Sequence, residues 1–268
     1  MFELSYNPWE RAVSYLLILA LFFAMRSCEY LETSSKEESK RTKILRLKNI
    51  KFKKKGKLIS QKSSTSTLKS ADIIIITFEF QKNDWRNHTV HMWSTNDPLL
   101  CPVKEGAMIV KRVRSIPSFS DNTKVCSYIT EDKSITNINS SQVLSRLRTI
   151  VNIIGEATLG FTESDIGLHS IRSGGAMAMF LSGISTIIIQ RVGRWSSEAF
   201  LEYIRERVEN FTHGVSQKLL NFEHFQTLNE NEILNKDDLA EIFVEDEGDG
   251  SEPICIDHEL EFNKLSLN

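Results

Sequence analysis

The sequence predicts an α+β fold, mainly α-helical, with a small three-stranded antiparallel sheet. Three observations lead there. A nearly unbroken apolar run, Ala12 to Met25, lies between Arg11 and Arg26. An isoleucine-rich segment, Ala71 to Phe80, has strand-like segments on either side. From Gly106 onward the apolar residues recur at helical spacing.

Residues 8 to 31 read as one buried helix, apolar on most sides. Its apolar run of 14 residues is shorter than the roughly 20 that a spanning helix needs. No small-residue cleavage site follows it, so a core helix is expected rather than a membrane segment. Arg26 and Glu29, three apart, would share a face near its end. Ser34 to Lys40 reads as a loop. Ile44, Leu45, Leu47, Ile50 and Phe52 then alternate roughly with Lys43, Arg46, Lys48 and Lys51, which predicts a strand. Lys53 to Lys57 reads as a turn, Leu58-Ile59 as the start of a return strand, and Ser63 to Thr67 as a low-complexity stretch. Ala71 to Phe80 is the predicted central strand, Gln81 to Asp84 a turn, and Thr89 to Trp93 the returning strand. Pro98 and Pro102 are expected to end the sheet. Helices are predicted over Ser141 to Ile154, Ser170 to Gly183, Ile184 to Val192 and Ser197 to Leu220.

The net charge of −2 conceals an asymmetry. From Glu223 to the end there are 14 acidic and 2 basic residues, whereas the preceding 222 residues carry a net charge of +10. A basic body with an acidic tail is a pattern of nucleic-acid binders, although a solvated basic face beside a disordered tail has the same composition. Lys36 to Lys62 alone holds 12 basic residues against 2 glutamates. Arg41, Lys43, Lys48, Lys53, Lys54 and Lys55 are the candidate phosphate-backbone contacts there. The four cysteines lack metal-ligand spacing or a disulfide framework, so an intracellular, reducing compartment is expected, the nucleus in a eukaryotic cell. His88 and His91, three apart on a strand, would face opposite sides and share no metal. Ser173-Gly174-Gly175 is not followed by the lysine of a phosphate-binding loop. Neither a metal nor a cofactor is expected.

Four local features carry chemistry: Arg26 with Glu29, Lys82 at a hairpin tip, His169 with Arg172, and Gly193-Arg194-Trp195 ahead of Tyr203. Phosphodiester strand transfer without a metal needs such a set. Two arginines grip the non-bridging oxygens, a tyrosine becomes covalently linked, and a lysine protonates the leaving oxygen. Each residue also has an ordinary reading: a helix-end arginine, a solvated turn lysine, a helix N-terminal pair, a core tyrosine. Their joint order favours the chemical reading.

At these residues the sequence resembles the tyrosine recombinase (phage integrase) family, over about residues 10 to 222. Phe78 to Asp84, Asp97 to Val103, His169 to Gly174 and Gly193 to Arg205 look most like recombinases of crypton-like eukaryotic mobile elements. The resemblance implies the catalytic-domain fold of DNA breaking-rejoining enzymes. It implies DNA cleavage and rejoining through a 3′-phosphotyrosine link, supporting recombination or integration. Arg26 and Arg172 would be phosphate clamps and Glu29 their support. Lys82 would be the general acid, His169 a proton-transfer or phosphate-contacting residue, and Tyr203 the nucleophile. The family commonly places His or Trp nine residues before the tyrosine. Arg194 stands there and Trp195 one residue later, so either residue fills the role. Double-stranded DNA and a homotetramer on DNA are the implied partners, with no membrane involved. Residues 1–222 are expected to form the catalytic domain without the family's usual N-terminal core-binding domain, and 223–268 an acidic, disordered tail. Two alternatives stay open: a catalytically inactive DNA-binding module, and type IB topoisomerase-like relaxation.

Overall fold

In a computed structural model of the chain, the described residues are 7–33, 42–80, 86–95 and 97–195. The predicted helix over 197–220, the acidic tail, Arg41, Lys82 and Tyr203 lie outside them. The class is α+β.

Helix α1 (Pro8–Phe22) starts where Asn7 accepts hydrogen bonds from the Trp9 and Glu10 amides, with Pro8 in the first turn. Both features favour a helix start. It buries Ala12, Val13, Leu16, Leu19 and Ala20, and packs against α4 (Pro102–Arg114) and α7 (His169–Leu181). The predicted helix over residues 8 to 31 is in fact two pieces. Ala24 adopts a left-handed conformation (φ 42°), and the Met25 and Ala24 amides turn back to the Ala20 and Leu21 carbonyls. This is a Schellman termination, made with alanine where glycine is usual. A four-residue helix, α2 (Ser27–Tyr30), follows.

The sheet has four strands rather than the three predicted. They run β2-β1-β3-β4, antiparallel throughout. The strands are β1 (Ile50–Lys54), β2 (Lys57–Ile59), β3 (Ile73–Phe80) and β4 (Arg86–Trp93). Leu58-Ile59 does form a return strand, and that adds the fourth. The strand expected over residues 44 to 52 begins only at Ile50. Ahead of it the Leu47 and Lys48 amides donate to Thr123 and Asp121 carbonyls, and the Arg46 amide to Asn49 Oδ1. Those partners hold residues 47–49 in a 3₁₀ turn. Alternation alone does not distinguish the two, because Leu47 stays buried either way.

The Ser/Thr stretch is also more ordered than expected. Ser64 caps a short helix, α3 (Thr65–Lys69), whose Leu68 is buried. Pro102 opens α4 rather than merely closing the sheet. The helix lies across one sheet face, where Phe52 and Ile74 meet it at Gly106. A second hairpin, β5 (Ser127–Ile129) with β6 (Ile135–Asn137), was not anticipated. Helices α5 (Ser140–Ile154), α6 (Glu156–Leu159) and α8 (Thr186–Gly193) complete the described chain. No helix among the described residues is long and apolar enough to cross a membrane.

Helix α7 approaches α1 at Gly175. A Cβ there would lie 2.4 Å from the Leu21 carbonyl oxygen, whereas at the neighbouring Gly174 nothing comes within 4 Å. Gly175→Ala should therefore destabilise the chain by about 1–3 kcal/mol through overpacking. Gly174→Ala should be neutral or stabilise by up to about 1 kcal/mol. Urea denaturation of the two variants checks this; equal stabilities would contradict the close approach.

Candidate functional site

Five stretches of chain meet at one cluster: the link from α1 to α2, the end of β3, the start of β4, the first turn of α7 and the end of α8. Glu29, fully buried, is its centre. Its Oε2 accepts from Arg194 Nη2 at 2.7 Å and from the Arg26 amide at 2.7 Å, while its Oε1 lies 3.3 Å from Arg26 Nη1. Glu29 thus closes the first turn of α2 and ties it to the distant end of α8.

Arg194 is also fully buried. Its Nη1 donates to the Phe23 carbonyl at 2.9 Å and the Val192 carbonyl at 2.8 Å. The guanidinium lies 3.6 Å from the centre of the Phe78 ring, within cation–π range. Arg194 is itself left-handed (φ 60°), and the Trp195 and Arg194 amides return to Gln190 and Arg191 carbonyls. This is a second Schellman termination without glycine at the left-handed position. Burial lowers the Arg194 pKa from its ordinary value and Glu29 opposes that shift.

Arg172, only 1% exposed, reaches the same helix ends. It donates to the Ala24 carbonyl through Nη1 and to the Gly193 carbonyl through Nη2, both at 2.5 Å. The Trp195 ring covers its guanidinium at 4.0 Å. A Cβ on Gly193 would lie inside that indole, at 1.4 Å from Cζ3, so glycine there makes room for the tryptophan. Helix C-termini carry partial negative charge, and both arginines are placed where it concentrates.

His169 begins α7 and is exposed. Its pKa is lowered, first by partial burial and then by the charges of Arg172 and Arg26. It is therefore neutral at neutral pH, with a nitrogen able to accept a proton. The side chain of Arg26 is 19% exposed. Arg26 and His169 form the open side of the cluster; Arg172, Arg194 and Glu29 form its floor.

Six of the residues singled out from sequence thus come together: Arg26, Glu29, His169, Arg172, Arg194 and Trp195. Lys82 and Tyr203 lie outside the described residues. The candidate phosphate contacts do not share one face. Lys48 pairs with Glu79 at 2.8 Å, and Lys54 donates to Ser70. Lys53 lies on the opposite sheet face from Phe52, Lys55 sits in the β1–β2 turn (φ 49°), and Lys43 lies beside Phe80 at the other end of the sheet. Among the described residues no group of three His, Cys, Asp or Glu could hold a metal ion.

Two members of the cluster are not among the site residues assigned from the sequence. One is Phe78, under Arg194. The other is His88, whose pKa is lowered first by burial and then by Arg194, against a hydrogen bond to the Arg191 backbone. His88 shares the core-facing side of β4 with Val90 and Met92, so alternation is the signal that places it inward. His91, on the opposite face, has its pKa lowered first by burial and then by Lys53.

Two measurements test this geometry. Glu29→Ala leaves Arg194 buried beside no carboxylate and should cost about 3–5 kcal/mol in stability. Replacing both residues with methionine should recover a large part of that loss. The second concerns pH. In the unfolded chain the His88, His91 and His169 imidazoles titrate near 6.5, and in the folded chain their pKa values are lower. The unfolded state then binds more protons as the pH falls, so this contribution is present above about pH 6.5 and is lost below it. Stability should decline from pH 7 toward 5, less steeply in His88→Gln; an unchanged slope in that variant would contradict the placement of His88.

No protein-family model matches the chain, and no curated protein matches it.

Proposed function

We propose that the chain is a DNA strand transferase of the tyrosine recombinase type. Arg26, His169 and Arg172 bind the scissile phosphate, and Tyr203 attacks it to form a 3′-phosphotyrosine link. The carrying observation is the convergence of Arg26, Glu29, His169, Arg172, Arg194 and Trp195 on one cluster. Arg26 and Arg172 are 146 positions apart in the sequence, and the chemistry requires them side by side.

In this reading Arg26 and His169 meet the phosphate first, being less buried than Arg172, Arg194 and Glu29. Arg172 joins by exchanging a main-chain carbonyl for a phosphate oxygen, a stronger, charge-assisted partner. Arg194 holds Glu29 and the end of α8, and Trp195 covers Arg172. Positive charge around the phosphate stabilises the extra negative charge of the transition state. Lys82 donates a proton to the leaving 5′ oxygen, and neutral His169 handles the proton of the attacking hydroxyl.

A second reading has its own observation. Arg172 and Arg194 are buried and engaged with carbonyls at two helix ends, which is the expected state of a scaffold that binds DNA without cutting it. Covalent trapping on nicked duplexes in EDTA, followed by a denaturing gel, separates the two. Under the first reading an adduct forms, disappears in Tyr203→Phe, and is slowed by about 100-fold or more in Arg172→Ala. DNA binding with no adduct on any nicked substrate would favour the second.

A further inference from the structure

The four-stranded sheet has one face against α4 and a second face pointing away from it. Strand alternation assigns the residues. Phe52, Ile59, Ile74, Ile76, Phe78 and Val90 take the packed side. On the other side two rows run across the strands, fixed by the pairing register. One row is Lys51–Ile75–His91, and the other is Leu58–Lys53–Ile73–Trp93. A third, Thr77–Thr89, joins its two hydroxyls at 3.2 Å.

These rows combine aromatic rings with lysines; Glu79, next on this face beyond Thr77, is paired with Lys48 at 2.8 Å. Trp93 is 69% exposed and Leu58 61%, while Ile75 is covered. Trp93 and His91 are two residues apart on one strand, so their rings project from the same face about 7 Å apart. Lys51 and Lys53 stand two strands away, about 10 Å across the face. A tryptophan so exposed contributes little to the core, and its setting across the face from two lysines calls for a ligand that is planar, apolar on its faces and anionic along one edge. Unpaired nucleotides have that chemistry; duplex bases are already stacked and cannot lie on a flat protein surface.

We propose that this outer sheet face binds single-stranded nucleic acid, with Trp93 and His91 stacking on successive bases and Lys51 and Lys53 contacting the backbone phosphates. The site is separate from the Glu29 cluster and stands whether or not Tyr203 cleaves DNA. Partial burial and the charge of Lys53 keep the His91 ring neutral at neutral pH, so it presents an uncharged π-face. Leu58 and Ile73 extend the platform on either side of Lys53.

The test is fluorescence anisotropy of the full chain with a labelled oligothymidylate and, in parallel, a duplex of mixed sequence. Trp93→Ala should weaken oligothymidylate binding about tenfold, as loss of one stacked base does, and leave duplex affinity unchanged. Trp93→Phe should retain most of the binding. Lys51→Ala with Lys53→Ala should reduce the slope of log affinity against log salt by about 1.4 on the single strand. Ultraviolet crosslinking of wild-type protein to the oligothymidylate, mapped by mass spectrometry, needs no variant and should mark Trp93 or His91. Unchanged single-strand affinity in Trp93→Ala, an equal loss on duplex, or crosslinks only elsewhere would overturn the proposal. So would a wild-type oligomer that Trp93→Ala dissociates, since the face would then be an interface between copies of the chain.

Discussion

The buried carboxylate of Glu29 is the constraint on which the rest of the site depends. A charge without solvent must be matched by charge and hydrogen bonds, and Glu29 receives them from Arg194, Arg26 and the Arg26 amide. Such a pair adds little net stability compared with apolar packing, but breaking it is costly. Its effect is therefore positional. It fixes the start of α2 against the end of α8, elements separated by more than half the chain, and brings Arg194 onto Phe78 of β3.

Two helix terminations complete that arrangement. Ala24 and Arg194 each occupy the left-handed conformation that glycine normally fills, at a cost of roughly 1–2 kcal/mol apiece. Their neighbouring carbonyls, freed from helical bonding, accept from Arg172 and Arg194. Backbone strain and guanidinium hydrogen bonds thus occur at the same positions. Each arginine satisfies carbonyls from α1 and from α8, so neither helix end can move without exposing a buried polar group. The arginines that would act on a phosphate are also the ones that shape the pocket.

The sheet divides its labour between its faces. The packed face places Phe78 and His88 beside the arginine cluster through the same alternation that buries Ile74, Ile76 and Val90. The opposite face leaves Trp93 in solvent with Lys53 in the same transverse row. A single register therefore sets both surfaces, and a slip by one residue would exchange them.

Much of this was legible in the sequence because it depends on local pattern. Isoleucine-rich alternation marks β3, helical spacing marks α5, α7 and α8, and the motif order selects Arg26, Glu29, His169, Arg172, Arg194 and Trp195. The α1 break at Ala24 was not legible, since no glycine announces it and its carbonyl partner lies 148 residues on. The 3₁₀ turn at Leu47–Asn49 depended on the distant Thr123 and Asp121 carbonyls being available to accept, whereas the fourth strand, read as a return strand at Leu58-Ile59, pairs locally with β1. Periodicity and short-range spacing marked most of the helices and strands and the reactive residue types. That Arg172 and Arg194 are buried while Arg26 and His169 are open emerges only on folding, because burial and ion pairing are set by contacts between segments far apart in the chain.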